Sequence, residues 1–171
     1  MENNTKEDLK SASNLYQKIL DILSLLLLLG MFLFLFLYWN RIPEKIATHY
    51  NFRGQADGFG GKNTLLLLPV LAILLYLLLM FVSRIPSAWN LPVRITPFNK
   101  HWVYQNVKSL LSTMKFCIML TYAQLSYCSA VQKDAGFFPV LVILVMFVFL
   151  FYFIRRMKKL PPDKPENYDF F

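Results

Sequence analysis

Charge is scarce in this chain of 171 residues: Asp, Glu, Lys and Arg make up 16% of it. Soluble domains carry roughly 25%. Hydrophobic residues make up 56%, among them 16 Phe and 9 Tyr. A water-soluble core of this size cannot bury such an excess, and a bilayer is its natural sink. The charge that is present is mostly of one sign, a net +8, and the basic residues stand at the ends of apolar runs. That placement speaks for membrane orientation and contact with anionic headgroups, not for nucleic acid. Cysteine is scarcer still. Cys117 and Cys128 lie in one apolar run, about 16 Å apart on a helix, too far to bridge. No CxxC pair exists, so cysteine usage says nothing of the redox compartment. Glycine is nearly confined to one place, with Gly54, Gly58, Gly60 and Gly61 being four of only six in the chain.

A membrane-crossing helix needs about 20 mostly apolar residues. Residues 22–40, 63–83 and 135–154 form such runs without a charge. Tyr38 and Trp39 close the first as an interfacial aromatic belt. Pro69 sits in the first turns of the second, where a missing backbone donor costs least, and Arg155 and Arg156 end the last. The first run is too long for a cleaved signal peptide and no small-residue cleavage site follows it, so it is expected to stay as an anchor.

Residues 109–132 form a fourth, weaker run. It contains Lys115 and many hydroxyl and amide side chains. On a helical wheel Thr113, Cys117, Thr121, Gln124 and Cys128 form one stripe. Lys115, Tyr122, Ser126 and Ser129 form another on roughly the opposite side. A helix polar on two sides belongs between other helices, where its polar groups act chiefly as helix–helix glue. The sharper reading is a substrate path through Lys115, Thr121 and Gln124. The expected fold class is an all-α integral membrane protein, a four-transmembrane-helix bundle with a structured first loop. Its membrane domain covers 19–157, with spans at about 20–40, 64–83, 109–131 and 136–155 and a motif loop at 41–63.

Lys and Arg accumulate on the cytoplasmic side of membrane proteins. The N-terminus, second loop and tail together hold more of them than the first and third loops. Both termini are therefore expected in the cytoplasm, on a multi-pass protein of the cell (plasma) membrane. Lys115 then lies near the cytoplasmic end of its span, from which it can snorkel. Residues 1–18 place Leu9, Ala12, Tyr16 and Ile19 at helical spacing and read as an amphipathic surface helix or a disordered end. The second loop, 84–108, holds Pro86, Pro92 and Pro97 among aromatics that suit the headgroup level, with His101 interfacial and not a ligand. The prolines of the tail, 158–171, make it extended; its Tyr-Asp-Phe-Phe end is unusually apolar.

The first loop differs from the rest. It is dense in turn formers, and Ile46, Tyr50 and Phe52 alternate with polar neighbours, predicting a short extended piece before the turn. The order is Pro43, Ile46, His49, Tyr50, Asn51, Gly54, Asp57, Gly58, Phe59, Lys62 and then Pro69, after a span ending in Trp39. This order resembles a bacterial membrane domain of unknown function that forms the N-terminal part of the sporulation-delaying-protein immunity family. The resemblance runs from the first span into the second. That pattern often has a proline two residues before the His, where this chain has Ala47. The immunity proteins of that family protect a cell from its own secreted toxin and are thought to signal by sequestering a repressor at the membrane. They carry a further C-terminal membrane domain, which this chain is expected to lack.

The candidate ligand residues of the loop are His49, Asn51, Gly54, Asp57 and Lys62. One His, one Asp and Glu44 without a cysteine are too few for a zinc site. No nucleophile–base pair is close in sequence, so neither catalysis nor a metal or other cofactor is expected. The structural role open to the same residues is a capping loop. There Asn51 and Asp57 fasten backbone donors in turns, His49 bonds across the loop, and Lys62 anchors the second span. The function expected is that of a bacterial envelope membrane protein, sensing or immunity-related, that recognises an extracellular peptide toxin or envelope ligand through residues 41–63. The alternative is a small transporter or transporter subunit using the polar third span, against which Asp21 and Asp134 lie only at span ends. Beyond the lipid bilayer, the partners in view are a cytoplasmic regulator or a second copy, and no nucleic acid.

Overall fold

The computed structural model describes residues 12–159. The expectations for Leu9 and for the tail from residue 160 lie outside the described residues. Among the described residues there are four α-helices: α1 Leu15–Tyr38, α2 Leu67–Val82, α3 Lys100–Val131 and α4 Phe138–Lys158. Three stretches are long and apolar enough to cross a membrane, Leu15–Arg41, Lys62–Val82 and Phe138–Lys158, which makes this a multi-pass membrane protein. α3 is the longest helix but falls short of that apolarity, so hydropathy does not carry the expected count of four spans.

The fold is not wholly α. Two strands, β1 Lys45–Tyr50 and β2 Ala56–Gly61, pair antiparallel as a hairpin between α1 and α2. Short 3₁₀ turns, Trp39–Arg41 before the hairpin and Lys62–Leu66 after it, connect it to the two helices. The structured loop is thus a small sheet, of which only the extended piece before the turn was legible.

Helix starts also move. Asn14 caps α1 by accepting from Gln17 N at 3.0 Å, and Gln17 Oε1 accepts from Asn14 N in return. This capping box begins the helix at Leu15, inside the segment read as 1–18. α3 begins at Lys100, inside the segment read as loop. Thr96 N and Asn99 N each donate to the other residue's side chain. That reciprocal turn lies just around Pro97, the last proline before the helix.

α3 sits at the centre, in contact with α1, α2 and α4. Its polar groups explain the position. Unpaired polar atoms are costly in hydrocarbon, and several of these meet partners on neighbouring helices. Thr113 Oγ1 is 2.7 Å from Tyr16 Oη, and Gln17 Nε2 donates to Ser109 Oγ at 3.0 Å. Ser126 Oγ donates to Met31 Sδ at 3.2 Å. The apolar core lies towards the hairpin end, where Leu28, Met31 and Leu35 of α1 and Met119 and Ala130 of α3 meet Ile46 of β1 and Leu65. A smaller cluster at the opposite end joins Val103 and Val107 to Met157 of α4, covered by Trp89 and Val93.

Lys115, expected to snorkel, is buried against its neighbouring helices. The residue is only 5% exposed; its ammonium lies 2.9 Å from Asp21 Oδ1 of α1 and 5.1 Å from the centre of the Tyr76 ring of α2. A carboxylate on the facing helix and an aromatic face receive the charge within the bundle. Asp21→Asn should leave that buried ammonium uncompensated and cost about 2 kcal/mol. Asp21→Asn combined with Lys115→Met should recover most of it. Thermal unfolding in nanodiscs measures both, and an Asp21→Asn variant as stable as the parent would remove the pair from the account.

Candidate functional site

Asn51 makes the hairpin turn. Its Oδ1 accepts from Arg53 N at 2.9 Å and Gln55 N at 3.1 Å, and its own amide N donates to Gln55 O at 2.9 Å. An Asn side chain holding backbone donors ahead of it is a well-populated turn device. The structure thereby gives Asn51 the fastening role. Asp57 does something else.

Along the ladder Ala47 faces Phe59, His49 faces Gly58, and Tyr50 faces Ala56. Thr48 and Asp57 are therefore each one residue extra, on opposite strands. Two opposed bulges keep the strands the same length while re-aiming side chains locally. Across the ladder His49 Nδ1 lies 2.5 Å from Asp57 Oδ1, with the side chains 72% and 43% exposed. With its proton on Nδ1 the ring donates to the carboxylate, which leaves Nε2 as an acceptor. The strands approach closely at this pair: a Cβ on Gly58 would lie 2.8 Å from His49 Cβ.

The hairpin tip is fastened to the loop between α3 and α4. Gly54 has φ +74° and Gly136 has φ +61°, conformations that favour glycine. Gly54 O accepts from Ala135 N at 2.7 Å and Gly136 N at 3.3 Å, while Ala56 N donates to Asp134 Oδ1 at 3.2 Å. Gln124 of α3 supports the same loop, its Nε2 donating to Ala135 O at 2.9 Å. Behind the strand, Tyr50 Oη is 3.2 Å from Ser129 Oγ. Burial raises the Tyr50 hydroxyl above its ordinary pKa of 10.0, more than that hydrogen bond lowers it, so it stays protonated.

Between the hairpin and the start of α4 lies an open groove of about 400 Å³, lined by His49, Tyr50 and Phe52 on one side and Pro139, Val140 and Ile143 on the other. Phe52 is 90% exposed at the rim. Lys62, expected to anchor the second span, stacks its ammonium 4.9 Å from the centre of the Trp39 ring, which suits an interfacial cation.

The candidate residues therefore divide. His49 and Asp57 form one exposed pair, Asn51 and Gly54 build and fasten the turn, and Lys62 lies apart at the end of α1. Of the third-span candidates, Lys115 pairs with Asp21, Thr121 Oγ1 donates to Cys117 O within its own helix, and Gln124 holds the loop that carries the hairpin. Sequence reasoning missed Gly136, and it noted Asp134 and Ser129 without tying either to the hairpin. Gly136 had a local signal as a glycine at the very start of the last apolar run, but nothing in the chain tied it to Gly54. Among the described residues no group of three or more His, Cys, Asp or Glu side chains converges as a metal site would.

Residues 26–73, from α1 through the hairpin into α2, match the family described as a domain of unknown function (DUF1648). An uncharacterised protein of Archaeoglobus fulgidus is 30% identical over 83 residues, covering 44% of this chain and 45% of the relative. The chain thus spans less than half the length of that relative. No solved structure matches.

The junction of the two glycines is open to test. A Cβ on Gly54 would lie 2.0 Å from Gly136 O, whereas one on Gly30 meets nothing within 4 Å. Gly54→Ala should weaken hairpin docking by about 2 kcal/mol and raise hydrogen exchange across β1 and β2 more than tenfold, while Gly30→Ala should leave both unchanged. Equal protection in the two variants would mean that the tip is not what holds the hairpin.

Proposed function

We propose that the hairpin and its adjoining groove recognise an extracellular ligand, most simply an extended apolar peptide, in a sensing or immunity role at the bacterial envelope. The observation that carries this reading is the groove beside β1, apolar along its wall and bordered by the exposed His49–Asp57 pair. β1 has a partner strand on one side only among the described residues, and an extended peptide can lie along such an edge with side chains in a neighbouring pocket. The platform is fastened at Gly54, Ala56 and Tyr50 before any ligand arrives, which lowers the ordering cost of binding. A peptide toxin fits both this chemistry and the resemblance of the motif loop to the sporulation-delaying-protein immunity family.

In this reading α3 crosses the bilayer with the other three helices and both termini are cytoplasmic, so a cytoplasmic regulator would read the far end of the bundle. The transport alternative has less support, because Lys115, Thr121 and Gln124 are each engaged within the bundle.

Two measurements test the proposal. In a Cys117→Ser, Cys128→Ser background, a single Gln55→Cys should react with an impermeant thiol reagent in intact cells. Reaction only after lysis would put the hairpin in the cytoplasm and end the external-ligand reading. With the full chain in nanodiscs, extended apolar peptides selected for binding should bind at least about tenfold more weakly to Ile143→Trp, which fills the groove, and to His49→Ala. Undiminished binding to the filled groove would overturn it.

A further inference from the structure

The opposite end of the bundle carries a second groove, of about 910 Å³, between the first turn of α3 and the last turns of α4. Its composition changes along its length. Val148 and Phe151, exposed on the outer face of α4, form the inner part. Tyr152 and Trp102 follow, and Arg155, Arg156 and Lys159 close the outer part. Among the described residues, none that lines it is acidic. Apolar, aromatic and cationic zones in that order match the acyl, interfacial and headgroup levels of a bilayer leaflet.

One cation is held in place. The Arg156 guanidinium stacks over the Trp102 ring, 4.8 Å from its centre, and its Nη1 donates to Tyr152 Oη at 3.4 Å. Trp102 Nε1 donates in turn to Arg156 O at 3.1 Å, tying α3 to α4. A planar guanidinium fixed on an aromatic face binds phosphate with little further loss of side-chain freedom. Arg155 and Lys159 are exposed on either side of it.

We propose that this groove binds one anionic phospholipid, its phosphate held by Arg155, Arg156 and Lys159 and its upper acyl chain lying on Phe151 and Val148. The apolar inner zone and the groove's volume assign it to a lipid and not to free phosphate, which would use only the outer part. Basic residues that served orientation alone would need neither the stacked Arg156 nor the groove.

Trp102 is the natural reporter. With Trp39→Phe and Trp89→Phe leaving it as the single tryptophan, the full chain is placed in mixed vesicles containing acyl-brominated phosphatidylglycerol or acyl-brominated phosphatidylcholine. The brominated phosphatidylglycerol should quench Trp102 with about tenfold preference, and Arg155→Gln with Lys159→Gln should remove most of that preference. Millimolar inorganic phosphate should not relieve the quenching. Equal quenching by the two lipids, or relief by inorganic phosphate, would overturn the proposal. So would relief by a synthetic peptide of residues 160–171, which would assign the groove to the chain's own acidic tail. Should the single-tryptophan variant not fold, native mass spectrometry of the unaltered chain gives the same decision. Retention of one phosphatidylglycerol in preference to phosphatidylcholine supports the site, and indiscriminate loss of both refutes it.

Discussion

The arrangement of this protein depends on the need of one polar helix for partners in an apolar medium. α3 carries Ser109, Ser112, Thr113, Lys115, Ser126 and Ser129 all but fully buried. Left facing lipid, this helix would lose its polar contacts to other helices, such as those of Ser109, Thr113 and Lys115. α1, α2 and α4 are apolar enough to face hydrocarbon, and they gather around α3 with their outer sides unburied. The contacts that result are short hydroxyl and amide hydrogen bonds, such as Tyr16 to Thr113 and Gln17 to Ser109, together with the Lys115–Asp21 pair. Hydrophobic matching contributes little to choosing partners between helices in lipid, so such polar contacts and close packing set the register.

The same helix positions the two ends. At one, Ser129 meets Tyr50 and Gln124 holds the loop on which the hairpin tip rests. The hairpin is thereby coupled to the bundle at its tip and through Ile46 in the core, although α1 and α2 are its only neighbours in sequence. At the other end, Trp102 in the first turn of α3 ties to Arg156 of α4. Both grooves lie along α4, one beside its start and one beside its end. A ligand at one end and a lipid at the other would thus act on the same pair of helices.

The hairpin also shows how local chemistry produces an exposed His–Asp pair. Asn51 sets the turn, the bulges at Thr48 and Asp57 shift the alternation, and Gly58 leaves room opposite His49. The two bulges cancel, so the pairs on either side of them keep one register, in which His49 and Asp57 stand across the ladder from each other. The spacing of His49 and Asp57 about the Asn51 turn thus follows from the register of this hairpin.

The three apolar spans, the aromatic close of the first at Tyr38 and Trp39 and the special character of residues 41–63 were determined by the sequence itself, because they rest on run length, composition and local turn chemistry. The central placement of α3 was also legible, since a helix polar on two sides has nowhere else to go. What the chain could not announce was who meets whom. That Lys115 turns to Asp21 and not to the surface, that Gly54 stacks on Gly136, and that Gln124 supports a loop are pairings between residues far apart in sequence. Each follows from distances that exist only once the helices have packed. Local pattern fixes which groups must be satisfied, and tertiary structure alone decides which partner satisfies them.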